Sequence, residues 1–144
     1  MSGCAKIPTS SAAAPNSSVM RSMDVNLVTH TMQRITADGF DPHTAPWDHK
    51  VCVMLHAVQG IIDNGGFEYF FEAPFDGLPV LDDFPKAFEA VGAQSSAAAL
   101  REAIKRASSP PASFDDLNSV LWRESKNNYE LLGRYITEHA SSYV

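Results

Sequence analysis

The chain has 144 residues, of which 44% are apolar and 19% are charged, and its formal net charge is −6 at pH 7. This length predicts one domain with a single apolar core, and the composition excludes an intrinsically disordered chain. No apolar run approaches the roughly 20 residues that a membrane-spanning helix needs. The acidic balance argues against direct binding to nucleic-acid phosphates, which requires basic residues.

The cysteines and the N-terminal residues indicate the cellular compartment. Cys4 and Cys52 cannot build a disulfide framework, which fits a reducing compartment. Residues 1–19 are mostly Ser, Ala, Pro and Asn, without the apolar segment of a secretory leader. We therefore expect a cytoplasmic protein with a disordered tail over residues 1–19 and a helical domain over residues 20–144.

Apolar residues at helical spacing predict the first two helices. The segment SMDVNLVTHTMQRITADG carries one apolar stripe and ends in an Asp-Gly pair. The next helix has Pro46 in its first turn and ends at the Asn-Gly-Gly sequence of residues 64–66, because a left-handed helix cap favours Gly or Asn. The two apolar stripes are Val25, Val28, Met32 and Ile35, and then Trp47, Val51, Leu55, Val58 and Ile62.

The Asn-Gly-Gly sequence directly precedes an aromatic segment, FEYFFEA. A phosphate-binding glycine loop follows a strand and is accompanied by a lysine, whereas this sequence follows a helix and has no lysine nearby. We therefore interpret it as a structural corner. In this interpretation Asn64 and Gly65 tolerate positive φ and close one helix, and Gly66 leaves room for the next helix to turn back.

The aromatic segment predicts a short helix that ends before the following proline. Phe67, Phe70 and Phe71 lie at positions i, i+3 and i+4 and share one face, which we expect to pack into the groove left by the preceding apolar stripe. Glu68 and Glu72 lie four residues apart and point together to the other side. The glycines would form the corner, and the phenylalanines would fill it.

Three more segments complete the predicted fold. DDFPKAFEAVGA and SSAAALREAIKRA each carry one apolar face and end at Gly or Pro. Residues 113–116 resemble a capping box before Leu117 and Leu121, and Tyr129 begins the apolar face of a last helix that ends near His139. No segment alternates with period two for long enough to indicate a strand. The sequence therefore predicts an all-α, compact single-domain bundle of about six to seven short helices.

The histidines and Cys52 of the second helix do not predict a metal or catalytic site. His49 and His56 lie seven residues apart, about 10 Å along a helix, which is too far for one metal ion. Cys52 and His56 leave only two ligands, and a Cys-His nucleophile would lack an orienting third residue. Trp47 and Trp122 are interpreted as aromatics of the core or its rim. We expect no metal, no cofactor and no catalytic residue.

The negative charge is concentrated in one stretch of the chain. Residues Asp63 to Glu89 include seven acids and one base, whereas the remaining chain has ten of each. Such a stretch is either a solvated acidic face or an electrostatic docking surface for a basic partner. The candidate partner-binding residues are Glu68, Glu72, Asp76, Asp82, Asp83 and Glu89.

The same stretch carries a resemblance to a known family. GIIDNGGFEYFFEA, followed by FPKAFEAVGA and ALREAIKRA, resembles the C-terminal domain of the bacterial DNA mimic protein family, over roughly Trp47 to His139. The resemblance implies a cytoplasmic helical domain without catalytic residues. In the founding type, surface carboxylates imitate DNA phosphates and occupy the DNA-binding face of a transcription regulator. The shared motif positions Asn64, Gly65, Gly66, Phe67, Phe70 and Phe71 are interpreted as structural.

Hypotheses from two functional classes follow from these patterns. The chain is either a non-catalytic module that docks a basic protein, such as a DNA-binding regulator, or a small enzyme or enzyme accessory with a pocket at the Asn64–Gly66 corner. An acidic antagonist of a toxin or nuclease would use the same surface as the first. A filled corner beside exposed carboxylates favours the module, and an open pocket with convergent polar groups favours the enzyme.

Overall fold

The computed structural model describes residues 17–37, 39–73, 75 and 79–143, with side chains from residue 26 onward. The predicted tail over residues 1–19 lies outside these residues except for its last three, which begin the first helix. Five α-helices and one 3₁₀ helix form the described part of the chain, which contains no strand. The helices are α1 (Ser17–Thr36), α2 (Trp47–Glu72), α3 (Asp83–Ala90), α4 (Gln94–Ala107), α5 (Asp115–Glu138) and the C-terminal 3₁₀ helix (Ala140–Tyr143).

The all-helical class is confirmed, but the predicted count of six to seven helices is wrong. The short aromatic helix follows the helix before it directly, across the non-helical Gly66, and the two form one kinked helix, α2. Residues 115–138 form a single helix instead of two. The polar run between Leu121 and Tyr129 contains neither Gly nor Pro, so nothing in the backbone interrupts α5.

The predicted capping box before α5 is also wrong. Phe114 precedes the first turn of α5, and no side chain caps that turn. The Asp116 carboxylate instead accepts two hydrogen bonds from the Arg106 guanidinium, at 2.8 and 3.1 Å, and Arg106 also donates to the Ser113 carbonyl oxygen at 3.0 Å. The end of α4 therefore holds the start of α5 through a planar guanidinium–carboxylate pair.

Helix α2 lies at the centre of the fold and contacts α1, α3, α5 and the 3₁₀ helix. Most of its predicted apolar stripe is fully buried, as expected for a helix covered by neighbours. Trp47, at the start of the stripe, is 40% exposed and lies at the rim of the core. The fully buried stripe residues are Val51, Leu55, Val58 and Ile62.

The residues described by the structure include no helix that is both long and apolar enough to cross a lipid bilayer.

The C-terminal 3₁₀ helix is fastened to the start of α2 through Asp48. The hydroxyl groups of Tyr135 and Ser142 donate hydrogen bonds to the Asp48 carboxylate, that of Ser142 at 2.5 Å. The Tyr143 hydroxyl donates to the Asp48 carbonyl oxygen at 2.6 Å. His49 Nε2 donates to the Ser142 carbonyl oxygen at 2.7 Å, because a carbonyl can only accept. These bonds join the start of α2 to residues that lie 87 to 95 positions later in the chain.

The pKa of the Asp48 carboxyl lies below its ordinary value. Partial burial acts to raise this pKa, but hydrogen bonds from Ser142 and Tyr135 and the charges of His139 and His49 together outweigh burial. A carboxyl whose pKa is lower in the folded state stabilises the fold above its unfolded-state pKa, near 3.9. That contribution is lost as the pH falls through the folded-state pKa.

Replacing Asp48 with asparagine should lower the free energy of unfolding by about 2 kcal/mol at pH 7, because the variant loses charge-assisted hydrogen bonds. The difference from wild type should begin to shrink below about pH 4, where the carboxyl of the unfolded wild type becomes protonated, and it should continue to shrink as the pH falls through the lower folded-state pKa. Urea unfolding at pH 7, 4.5 and 3.5 measures both effects. The control is Asp41→Asn at an exposed position. If Asp48→Asn lowers the free energy of unfolding by the same amount at all three pH values, the charge of the Asp48 carboxylate does not stabilise the fold.

Candidate functional site

The Asn-Gly-Gly corner is a kink inside α2 at a single residue. Gly66 has φ 72° and ψ −170°, and it is the only residue of α2 with non-helical backbone angles. The prediction that Asn64 and Gly65 close the first helix is therefore wrong, since both continue it and the positive φ falls at Gly66. Only glycine adopts this left-handed conformation without strain, so the kink depends on Gly66. It turns the segment Phe67–Glu72 away from the first part of α2.

The side chain of Asn118 fills the inside of the kink. Its Oδ1 accepts a hydrogen bond from the Phe67 N–H at 2.7 Å, and its Nδ2 donates to Glu68 Oε1 at 3.0 Å. Asn118 is 4% exposed, and a Cβ added to Gly66 would lie 2.7 Å from its Nδ2. A kink leaves a backbone N–H without its partner in the helix, and here Asn118 Oδ1 accepts from the Phe67 N–H in that partner's place. The corner is therefore closed by this polar contact.

Two further side chains of α5 hold the last turn of α2 before the kink. Trp122 Nε1 donates to the Ile62 carbonyl oxygen at 2.7 Å, and Ser125 Oγ donates to Asp63 Oδ2 at 2.6 Å. Together with Asn118 they occupy positions i, i+4 and i+7 of α5, which form one stripe on a helix. This stripe fixes the direction of the second part of α2. Sequence reasoning missed it because Asn118 and Ser125 are polar and Trp122 is interpreted as an aromatic of the core or its rim.

The phenylalanines of the second part of α2 form the aromatic wedge that the sequence predicts. Phe67 and Phe70 are buried and Phe71 is half-buried. Their ring partners come mainly from other elements: Phe70 lies 5.3 Å from Phe84 of α3, and Phe71 lies 5.4 Å from Phe114 before α5, measured between ring centroids. Such edge-on and tilted pairs are favourable beyond the area they bury.

Glu68 and Glu72 lie on the exposed side of the kinked segment, opposite the phenylalanine face. Among the described side chains, none forms an ion pair with either of them. The Asn118 amide fixes one oxygen of Glu68. Asn118 therefore holds the Glu68 carboxylate, and both glutamates lie on the exposed side of the segment.

Other acids of the predicted docking set have basic neighbours that the sequence does not reveal. Lys50 Nζ lies 3.4 Å from Asp83 Oδ2, and the side chain of Asp83 is only 18% exposed. Arg101 pairs with Glu89, and this hydrogen bond lowers the pKa of the Glu89 carboxyl. The cations come from outside the acidic stretch and reduce its local charge.

The last two members of the set differ from the others in position. Asp82 is exposed at the start of α3, with the positive charge of Arg101 in its vicinity. Asp76 lies outside the described residues. The structure therefore brings Glu68 and Glu72 together on one segment and places Asp82, Asp83 and Glu89 around α3.

The histidines and the cysteine of α2 face different surroundings. Cys52 is fully buried, and burial raises the pKa of its thiol to about 12, which keeps it protonated near neutral pH. Burial lowers the pKa of His56, whose ring meets Tyr129 edge-on. His49 points to the C-terminal 3₁₀ helix. Within the ranges that the structure describes, no three His, Cys, Asp or Glu side chains are grouped to hold a metal ion.

Comparison with known proteins identifies the family. Residues 44–139, about two thirds of the chain, match the family model described as DMP19-like protein. The matched region includes the kink, the aromatic wedge and the acidic residues, and it confirms the resemblance seen in the motif. No curated protein and no solved structure matches the chain. The chain therefore belongs to the DMP19-like family, the family of DNA mimic protein 19.

Proposed function

We propose that this chain is a non-catalytic, acidic helical module that docks a basic protein and acts there as a DNA mimic. The observation that carries the proposal is the pair Glu68 and Glu72, exposed on a braced segment without a basic partner among the described side chains. Membership of the DMP19-like family supports a DNA-binding regulator as the class of partner.

The placement of Glu68 by Asn118 supports this function. One-signed charge on a surface steers a partner of opposite charge toward it and increases the rate of association. Charges that are already held in place need not be ordered when the partner arrives, so less conformational entropy is lost. The kink at Gly66 and the contacts of Asn118 provide this order on the side of α2 that faces solvent.

The closed corner favours the docking module over an enzyme with a pocket at residues 64–66. Gly66 is buried, and the Asn118 side chain lies where a ligand would have to enter. The Phe67 N–H, which a substrate oxygen could otherwise approach, is already hydrogen-bonded. A site for chemistry needs open space with convergent polar groups, and these contacts remove that space.

Changing Glu68 and Glu72 together to glutamine should slow association with a basic partner by about tenfold at 0.1 M salt, because two steering charges are lost from one face. The partner is captured from the native host with the wild-type chain and purified, and association rates are then measured across salt concentrations. Glutamine keeps the oxygen that accepts from Asn118, so the fold should survive. The rates of variant and wild type should converge as salt shortens the Debye length.

The matched control is the double variant Asp41→Asn with Glu138→Gln. Both residues are exposed and lie outside the kinked segment, so the net charge changes equally while the charge pattern near the kink is kept. We expect the control to associate nearly as fast as wild type. Equal association rates for all three proteins would show that the acidic segment is a solvated face and does not dock the partner. Equal slowing in both variants would show that only the net charge of the chain matters.

A further inference from the structure

Two large exposed aromatic side chains, one from α5 and one from the segment after the kink, each contact the turn of α2 that ends at the kink. Tyr69 and Trp122 are each 50% exposed. Trp122 reaches this turn from α5, where its Nε1 donates to the Ile62 carbonyl oxygen at 2.7 Å. Tyr69, which follows the kink, lies against Gly65, because a Cβ on Gly65 would stand 2.6 Å from its Cβ and 2.9 Å from its Cγ. The absence of a side chain at Gly65 therefore gives Tyr69 its position.

The exposed surface of these two residues is suited to binding. The one polar atom of the Trp122 side chain already bonds to the protein, so the ring surface that faces solvent is apolar. Its position is also fixed before any partner arrives, which reduces the entropy that binding would cost. Tryptophan and tyrosine are the residues that most often dominate the energy of a protein interface.

The charges around the two rings are mainly negative. Asp63 and Glu68 flank the kink, and Asp115 lies two turns before Trp122 on the same side of α5. Lys126 lies one turn after Trp122 on this side of α5, and the neighbouring Arg123 is paired with Glu124 at 3.8 Å. The rings are therefore bordered by more carboxylates than ammonium groups, which favours a cationic partner by charge complementarity.

We propose that Tyr69 and Trp122 form a stacking platform for arginine side chains of the basic protein that docks on this chain. The proposal rests on the proposed function and specifies the contact through which the partner is recognised. A guanidinium is planar and weakly hydrated, so it stacks on an aromatic face while its N–H groups pair with a nearby carboxylate. An ammonium group is a compact, strongly hydrated charge and gains less from the rings. The carboxylates attract any basic surface, and the platform selects arginine.

Fluorescently labelled nona-arginine and nona-lysine peptides test the platform directly. Anisotropy titrations at 0.15 M salt should show tighter binding of nona-arginine to the wild-type chain. Tyr69→Ala should weaken nona-arginine binding by about two- to fivefold and change nona-lysine binding much less, as expected for a cation–π contact near the surface. Trp122→Ala should weaken the binding of nona-arginine in the same way. Because Trp122 also bonds to the Ile62 carbonyl oxygen, its variant could unfold, and Tyr69→Ala then provides the result.

The control is Trp47→Ala, which removes an aromatic ring of similar exposure at the other end of α2. It should leave the preference for nona-arginine intact. Equal loss of both peptides on Tyr69→Ala, or no loss, would overturn the platform. Sedimentation of the same samples measures the oligomeric state. If the wild-type chain is a dimer that dissociates on Tyr69→Ala, a second copy of the chain covers the two rings, and the arginine platform is overturned.

The double change of Glu68 and Glu72 to glutamine separates this inference from the proposed function. It should weaken the binding of both peptides, because the carboxylates attract any cationic chain. If it does so while Tyr69→Ala leaves the arginine preference unchanged, the docking function stands and the platform is wrong. If the double variant binds both peptides like wild type, the acidic docking function itself is contradicted.

Discussion

Replacing Gly66 with valine should lower the free energy of unfolding by about 3–5 kcal/mol, enough to unfold a marginal domain. Gly66 has φ 72°, which costs a residue with a side chain about 1–2 kcal/mol and a β-branched residue more. The new Cβ would lie 2.7 Å from Asn118 Nδ2, so the buried Asn118 must move. Its movement would leave the Phe67 N–H without an acceptor, at a further cost of about 1–3 kcal/mol.

Gly92→Val separates backbone strain from the effect of packing. Gly92 has a comparable φ of 91°, but a Cβ added there meets nothing within 4 Å. We expect a loss of about 1–2 kcal/mol for this control, which reports strain alone. Urea unfolding of both variants measures the difference. Equal losses at the two glycines would contradict a close-packed junction at Gly66.

Asn118→Ala should lower the free energy of unfolding by about 2–4 kcal/mol. Asn118 is buried, and its removal takes the acceptor from the Phe67 N–H and leaves a small cavity at the kink. Amide hydrogen exchange should localise the effect, because the Phe67 amide would lose protection before the rest of α2. Asn127→Ala, at an exposed position of the same helix, should change stability by less than about 0.5 kcal/mol.

Asn118→Asp separates the two roles of the Asn118 amide, whose oxygen accepts from the Phe67 N–H and whose nitrogen donates to Glu68. An aspartate still offers an oxygen to the Phe67 N–H, but it cannot donate to Glu68 and instead places two carboxylates beside each other. We expect protection of the Phe67 amide to persist while stability falls and becomes dependent on salt. Loss of stability in Asn118→Asp with no salt dependence would show that Glu68 is not coupled to this site.

The sequence predicts the fold class and the place of the corner because both depend on local pattern. Helical spacing of apolar residues identifies the core face of α2, and the glycines at residues 65 and 66 mark the kink. Which residue takes positive φ is decided by the packing of Asn118, which lies more than 50 residues away in the chain. The pattern therefore offers candidates for the kink, and tertiary contact selects Gly66.

The surface charge could be predicted only in part for the same reason. The count of acids between Asp63 and Glu89 is a property of the chain, whereas their compensation depends on which cations fold against them. Lys50 and Arg101 reach Asp83 and Glu89 from outside the stretch. No local signal indicates these pairs, because ion pairs between different helices follow from the packing of those helices. Glu68 and Glu72 remain as the predicted acids that share one exposed segment.

Competition with duplex DNA tests most directly whether this chain takes the place of DNA on a basic regulator. The captured partner is bound to labelled duplex at fixed ionic strength, and the wild-type chain is added in increasing concentration. Mimicry predicts that the chain displaces the duplex completely and that the variant with Glu68 and Glu72 changed to glutamine needs a higher concentration. A ternary complex, in which the partner holds the chain and the duplex together, would contradict mimicry.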